Sequence, residues 1–160
     1  MPPILIDTNV LIYASDPAET IRQDQALRTL KYLETARLGR LSVQCLAEFM
    51  HVSTRPHRPL YTRTEALQQV EYLIRAFPVF DLTPLIVLEA ARGARDHGLA
   101  YYDAQIWAAA RLNQVTIIFS EDFCDGQVLE GVRFVNPFST DFRLEDWVKW
   151  GRRIRVGDCI

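Results

Sequence analysis

Cysteine is scarce and shows no pairing pattern. The 160 residues hold three, Cys45, Cys124 and Cys159, with no Cys-x-x-Cys among them. An odd count without that spacing argues against a disulfide framework or a zinc ribbon, and for a reducing cytoplasm. No apolar run approaches the ~20 residues that span a bilayer, so no membrane role is expected. The start, Met1-Pro2-Pro3-Ile4, has neither a charged leader nor a long apolar stretch, so no signal peptide is expected. Neither sign of charge dominates, since 18 Lys and Arg stand against 20 Asp and Glu for a net −2. Bulk charge will not draw in nucleic acid, so such a role needs a local basic patch or a bridging metal. Internal repeats and low-complexity segments are absent. His51, His57 and His97 match no compact zinc-ligand set. The remaining composition, 49% hydrophobic and 24% charged, is that of one domain with one sizeable core.

Strand-like and helix-like patterns alternate along the chain. Residues 3–6 form a short all-apolar run, the kind buried on both faces of a parallel sheet. Thr8 to Ala14 reads as a short helix with Thr8 as its N-cap. Helical spacing runs from Thr20 to Leu38 through Ala26, Leu27, Leu30, Leu33 and Ala36, with Gly39 as the stop. Arg40 to Val43 reads as a strand leading into a helix over 44–53. Thr62-Arg63-Thr64-Glu65 fits a capping box, and the helix it opens is expected to bury Leu67, Val70, Leu73, Ile74 and Phe77. Val79-Phe80 is a short strand. Thr83-Pro84 is an N-cap and N1 pair for a helix ending at His97, with Gly98 as its left-handed cap. A helix over 102–113, a strand over 115–119 and an edge strand over 132–135 follow. Leu144 to Trp150 reads as a short amphipathic turn, and Arg152-Arg153-Ile154-Arg155 as a basic tail. The pattern implies a parallel sheet covered by helices, with all strand carboxyl ends on one rim.

Four acids fall at the mouths of these units. Asp7 closes Ile4-Leu5-Ile6, Glu48 sits on the 44–53 helix, Asp103 opens the helix over 102–113, and Asp122 follows the 115–119 run. Ligands of open α/β sheets bind outside the carboxyl ends of the strands. Two carboxylates ~4 Å apart repel by about 4 kcal/mol at an effective dielectric near 20. Several converging acids therefore need a cation, and oxygen-only ligation selects Mg²⁺ or Mn²⁺ over zinc. The reaction class that follows is metal-assisted phosphodiester hydrolysis by an activated water. Spacing alone leaves open whether the acids converge. Glu121 is expected to face solvent, and Asp125 to serve a turn.

The segments Ile6-Asp7-Thr8-Asn9-Val10-Leu11-Ile12-Tyr13, Leu46-Ala47-Glu48-Phe49, Tyr102-Asp103-Ala104-Gln105-Ile106-Trp107 and Phe119-Ser120-Glu121-Asp122-Phe123 occur in order, with Asn136-Pro137-Phe138 near the end. In this the chain resembles the PIN domain family, specifically the small VapC-type toxin ribonucleases of prokaryotic toxin–antitoxin modules. The resemblance implies a three-layer α/β/α fold with a mostly parallel central sheet of about five strands. It covers residues 3–138, making 1–138 the nuclease domain and 139–160 a C-terminal extension of unknown role. It implies Asp7 as the central metal ligand, with Asp103 and Asp122 bound directly or through water. Glu48 would complete the site and help orient the attacking water. Asn9 and Ser120 match polar positions that hydrogen-bond to the acids or their waters.

By the same resemblance the activity would be that of a toxin, a Mg²⁺- or Mn²⁺-dependent endoribonuclease cutting RNA phosphodiesters. The partners implied are the RNA substrate, a small cognate antitoxin and a second copy of the chain. Apolar faces on the 20–38 and 62–77 helices are available to a partner, although core burial explains them too. Arg55 and Arg58, with His57 and Arg63, form a basic loop that either lies in solvent or contacts RNA phosphates. The competing reading is a non-catalytic PIN-fold module for RNA binding or scaffolding. The intact acid set argues against it. A haloacid-dehalogenase-type phosphatase needs an acid where Asn9 stands.

Overall fold

The computed structural model describes residues 2–148; Trp150 and the basic tail lie outside the described residues. Six strands form one sheet. They are β1 (Ile4–Ile6), β2 (Gly39–Ser42), β3 (Val79–Phe80), β4 (Ile117–Phe119), β5 (Val128–Leu129) and β6 (Val132–Val135), in the order β3-β2-β1-β4-β6-β5. All pairings are parallel except β5 with β6. β1 and β4 are wholly buried, as strands covered on both faces must be.

The connections explain the layers. α1 (Thr8–Ser15) and α2 (Thr20–Thr35) lead from β1 to β2, and α3 (Val43–Ser53) and α4 (Arg63–Ala76) lead on to β3. The chain then reverses through α5 (Pro84–His97) and α6 (Tyr101–Leu112) to reach β4 on the other side of β1. Right-handed crossovers running in opposite directions place the two helix groups on opposite faces. α1 packs on α2 and α3, and α5 packs on α6. The reversal makes β1 and β4 the switch point, with Ile6 level with Phe119. The outcome is the three-layer α/β/α arrangement, with six strands rather than five.

Several local expectations hold. Thr62 and Glu65 form a full capping box, Thr83 caps Ile86 N–H with Pro84 following, and Gly98 closes α5 at φ 68. Others are corrected. α2 stops before Gly39. Its end is a Schellman turn in which Leu38 N–H donates to Leu33 O (2.9 Å) and Arg37 N–H to Glu34 O (3.0 Å). Arg37 holds the left-handed position at φ 58 that glycine usually takes. Gly39 instead begins β2, where the Phe77 ring lies so close that an added Cβ would sit 2.6 Å from it. β6 is not an edge strand. A two-residue turn at Glu130 and Gly131, both at positive φ, folds β5 back against it.

On α4, Leu73 and Phe77 are buried but Leu67 and Ile74 are each 53% exposed. They flank the stripe that α4 buries as it packs on α3. A groove of about 220 Å³ runs between α2 and α4, lined by Leu27, Leu30, Phe49, Tyr61, Tyr72 and Leu73. Beyond position 138 the described residues return to the core, with Phe142 and Trp147 edge-on to Phe119. α7 (Leu144–Val148) ends the described chain. No helix among the described residues is long and apolar enough to cross a membrane.

Substituting Gly39→Ala forces the Phe77 ring or the β2 backbone to move. It should lower unfolding stability by about 1–3 kcal/mol. Urea denaturation checks it, and an unchanged midpoint would show that the Phe77 contact has slack.

Candidate metal-dependent active site

Asp7 is the first residue past β1 and caps α1. Its Oδ1 accepts the Thr8 N–H at 2.6 Å. Thr8, expected as the N-cap, is instead the first helical residue, and its hydroxyl donates to Glu48 Oε2 at 2.7 Å. The strand register sets Ser120, the residue after β4, beside Asp7, and its Oγ donates to Asp7 Oδ2 at 2.6 Å. The same Oγ accepts the Asp122 N–H at 3.1 Å and Asn9 Nδ2 at 3.1 Å, so the hydroxyl is fully used. Asn9 Nδ2 also reaches Asp122 Oδ2 (3.1 Å) and Asp7 Oδ2 (3.3 Å), sharing two N–H groups among three oxygens. Asn9 and Ser120 thus both hydrogen-bond to Asp7, and Asn9 to Asp122 as well.

Asp7 is 4% exposed. Burial is the main force on it and pushes its carboxyl from 3.8 up to about 7. The bonds from Ser120 and Thr8 act in the other direction, and the charges of Asp122 and Glu48 add to the rise. Asp103, in the first turn of α6, is raised by burial and then by the same two acids, Asp122 and Glu48. Asp7 and Asp103 therefore both feel the charges of Asp122 and Glu48. Among the described residues, no basic side chain opposes either of them in these shifts.

The set is rich in acceptors and poor in donors. Asn9 Oδ1 is buried with no hydrogen-bond partner among the described residues. Among the described residues, no three His, Cys, Asp or Glu side chains are drawn in tightly enough to hold a metal ion by themselves. Oxygen donors that converge loosely fit a hard cation retaining part of its water shell, which is the habit of Mg²⁺, and also of Mn²⁺ in oxygen sites. Asp7, Glu48, Asp103 and Asp122 offer oxygen donors of the kind such an ion takes.

The neighbouring groups fall into place. Glu121 is not turned to solvent; it accepts from Tyr13 Oη (2.5 Å) and pairs with Arg22 (3.2 Å), which anchors the loop carrying Asp122. Asp125 serves its turn by accepting the Asn136 N–H at 2.8 Å. Cys45 is buried core, its Sγ 3.4 Å from Ile6 O and its thiol pushed up to about 12 by burial and the charge of Asp7. His97 contacts Glu130 at 2.7 Å, well apart from the acids in the chain. Arg58 pairs with Asp16 at 2.8 Å, at the end of α1 roughly 13 Å from Asp7 along the helix, while Arg55 is exposed. Sequence reasoning missed Gln44 and Gln105, which stand behind Glu48. Their signal was a glutamine inside each of two apolar helical runs, Val43-Gln44-Cys45-Leu46 and Ala104-Gln105-Ile106-Trp107.

The model for the PIN domain matches residues 4–123. The chain belongs to the PIN domain family. Solved structures with the same fold include a toxin–antitoxin complex from Klebsiella pneumoniae, at 18% identity and TM-score 0.62, covering 84% of this chain and 98% of that one. A second is VapC20 from Mycobacterium tuberculosis, a toxin that cleaves the sarcin–ricin loop, at 17% identity and TM-score 0.61, covering 79% and 97%. A third is DNA-bound VapBC from Salmonella typhimurium, at 20% identity and TM-score 0.56, covering 84% and 97%. At such identities the likeness is one of fold. No curated protein matches the sequence.

The raised carboxyl has a thermodynamic consequence. A carboxyl whose folded-state pKa is raised stabilises the fold fully below about 3.8 and loses that contribution as pH climbs through about 7. In metal-free protein, Asp7→Asn should leave stability nearly unchanged at about pH 4 and raise the thermal midpoint by several degrees at about pH 8. Thermal unfolding in chelator at both pH values checks it. Equal midpoints at the higher pH would mean that Asp7 carries no buried charge.

Proposed function

We propose that this PIN domain is a Mg²⁺- or Mn²⁺-dependent endoribonuclease acting as the toxin of a toxin–antitoxin pair in the cytoplasm. The observation that carries the reading is the buried Asp7 carboxyl, which feels Asp122 and Glu48 as Asp103 does, with no cationic side chain among the described residues acting on either. A bound divalent cation would supply the missing positive charge, polarise a phosphodiester and activate a water. The chain's own residues do the rest. Asp7, Asp103 and Asp122 would hold the ion directly or through water, and Glu48 would help orient the attacking water. Asn9 and Ser120 keep Asp7 and Asp122 turned toward each other.

Partners follow from the same reading. The α2–α4 groove, with Leu27 and Tyr72 half exposed on its walls, suits an apolar helix from a small antitoxin. Leu85 and Leu88 on α5 are 69% and 67% exposed, a face suited to a second copy. Arg55 is proposed as a phosphate contact, whereas Arg58 is engaged with Asp16.

The test is purified protein incubated with cellular RNA, followed by sequencing of the new 5′ ends. Defined cuts should arise with Mn²⁺ or Mg²⁺ and vanish in chelator. Asp7→Asn and Asp122→Asn should each reduce the rate roughly 100-fold or more while remaining folded. Identical cuts by wild type and both variants would assign the cleavage to a contaminant and refute the reading.

A further inference from the structure

Two buried amides stand behind Glu48. Gln44 lies one turn earlier on α3 and is 7% exposed; Gln105 lies on α6, two residues after Asp103, and is 4% exposed. Gln44 Nε2 donates to Glu48 Oε1 at 2.8 Å and to the Tyr102 carbonyl at 3.0 Å. Gln44 Oε1 accepts from Gln105 Nε2 at 2.7 Å. This pattern allows one orientation of the Gln44 amide. Turned over, its oxygen would face two acceptors and its nitrogen another NH₂ group. The second oxygen of Glu48 is held by Thr8. Glu48 is thus held from both ends, and the bond to Tyr102 joins it to the residue before Asp103.

Burying two amides costs free energy unless each is paired, and an apolar pair of the same volume would fill the space as well. What an apolar pair cannot do is bridge α3 and α6, which belong to opposite layers of the fold and meet here at the rim. We propose that Gln44, braced by Gln105, is a positioning pair that fixes the Glu48 carboxylate and sets its separation from Asp103. The pair acts through Glu48 and touches neither ion nor substrate. Its kinetic consequence rests on the nuclease reading, and its effect on ion binding rests on the cation site proposed there but not on RNA cleavage.

The test uses the full chain with Gln44→Met and Gln105→Leu together, a double variant that keeps volume and leaves neither amide unpaired. Its thermal midpoint should stay within a few degrees of wild type. Its Mn²⁺ dissociation constant, by calorimetry, should rise about 10-fold, and its kcat on RNA should fall about 10–100-fold with little change in KM. In a Glu48→Gln background the same pair of substitutions should add no further loss of Mn²⁺ affinity, because both act through Glu48. Wild-type Mn²⁺ affinity and kcat in the double variant would overturn the proposal. So would an equal additional loss in the Glu48→Gln background, which would mark the pair as merely structural. If Mn²⁺ affinity falls as described but no form of the protein cuts RNA, the positioning role stands and the nuclease reading fails.

Discussion

A carboxylate buried at the end of the central strand, with other acids around it, has no low-energy way to stay ionised on its own. Asp7 is in that position. It lies at the N-terminus of α1, where the helix dipole favours negative charge. It also receives the Thr8 N–H and the Ser120 hydroxyl. Burial still outweighs both and moves the carboxyl up to about 7. Two outcomes relieve this, a proton or a cation. The proposed function takes the second course, since Asp122 and Glu48 push both Asp7 and Asp103 upward and no basic group among the described residues counters them in those shifts.

The fold makes this arrangement unavoidable once the chain reverses direction. β1 and β4 are hydrogen-bonded neighbours, so the residues after them, Asp7 and Ser120, must meet. The helices starting at the same rim add the rest, α3 through Glu48 and α6 through Asp103. Short polar links then fix the side chains, Asn9 between Asp7 and Asp122, Thr8 to Glu48, and Gln44 from Glu48 to the start of α6. The loop after β4 is tied by Glu121 to Tyr13, with Arg22 donating to the same tyrosine oxygen. Precision at the site therefore comes from side-chain bonds laid over a backbone rim.

Much of this could be read along the chain where the signal is local. The capping box at Thr62 and Glu65, the Thr83-Pro84 start and the Gly98 stop depend on neighbours within a turn, and each is as expected. The four acids stand out in the sequence through their motifs, and their shared role is the proposal made above. Less legible was anything settled by a distant partner. Arg37 and Gln114 end their helices in left-handed conformations that glycine normally marks, so no residue type announced them. Leu67 and Ile74 keep helical spacing with Leu73, yet spacing does not state how wide a face the neighbouring helix covers. Thr8 looks like a cap and is instead a clamp on a residue 40 positions later. Gln44 and Gln105 meet across 61 positions, and each alone reads as an unremarkable polar residue in a helix.

The most direct test is to locate the ion. Crystals grown with Mn²⁺ and measured at its absorption edge should show one anomalous peak about 2.0–2.3 Å from an Asp7 carboxylate oxygen, with Asp103 and Asp122 bound directly or through an intervening water. A peak elsewhere on the surface, or none at Mn²⁺ concentrations well above those that support RNA cleavage, would contradict the assignment of these acids to one cation.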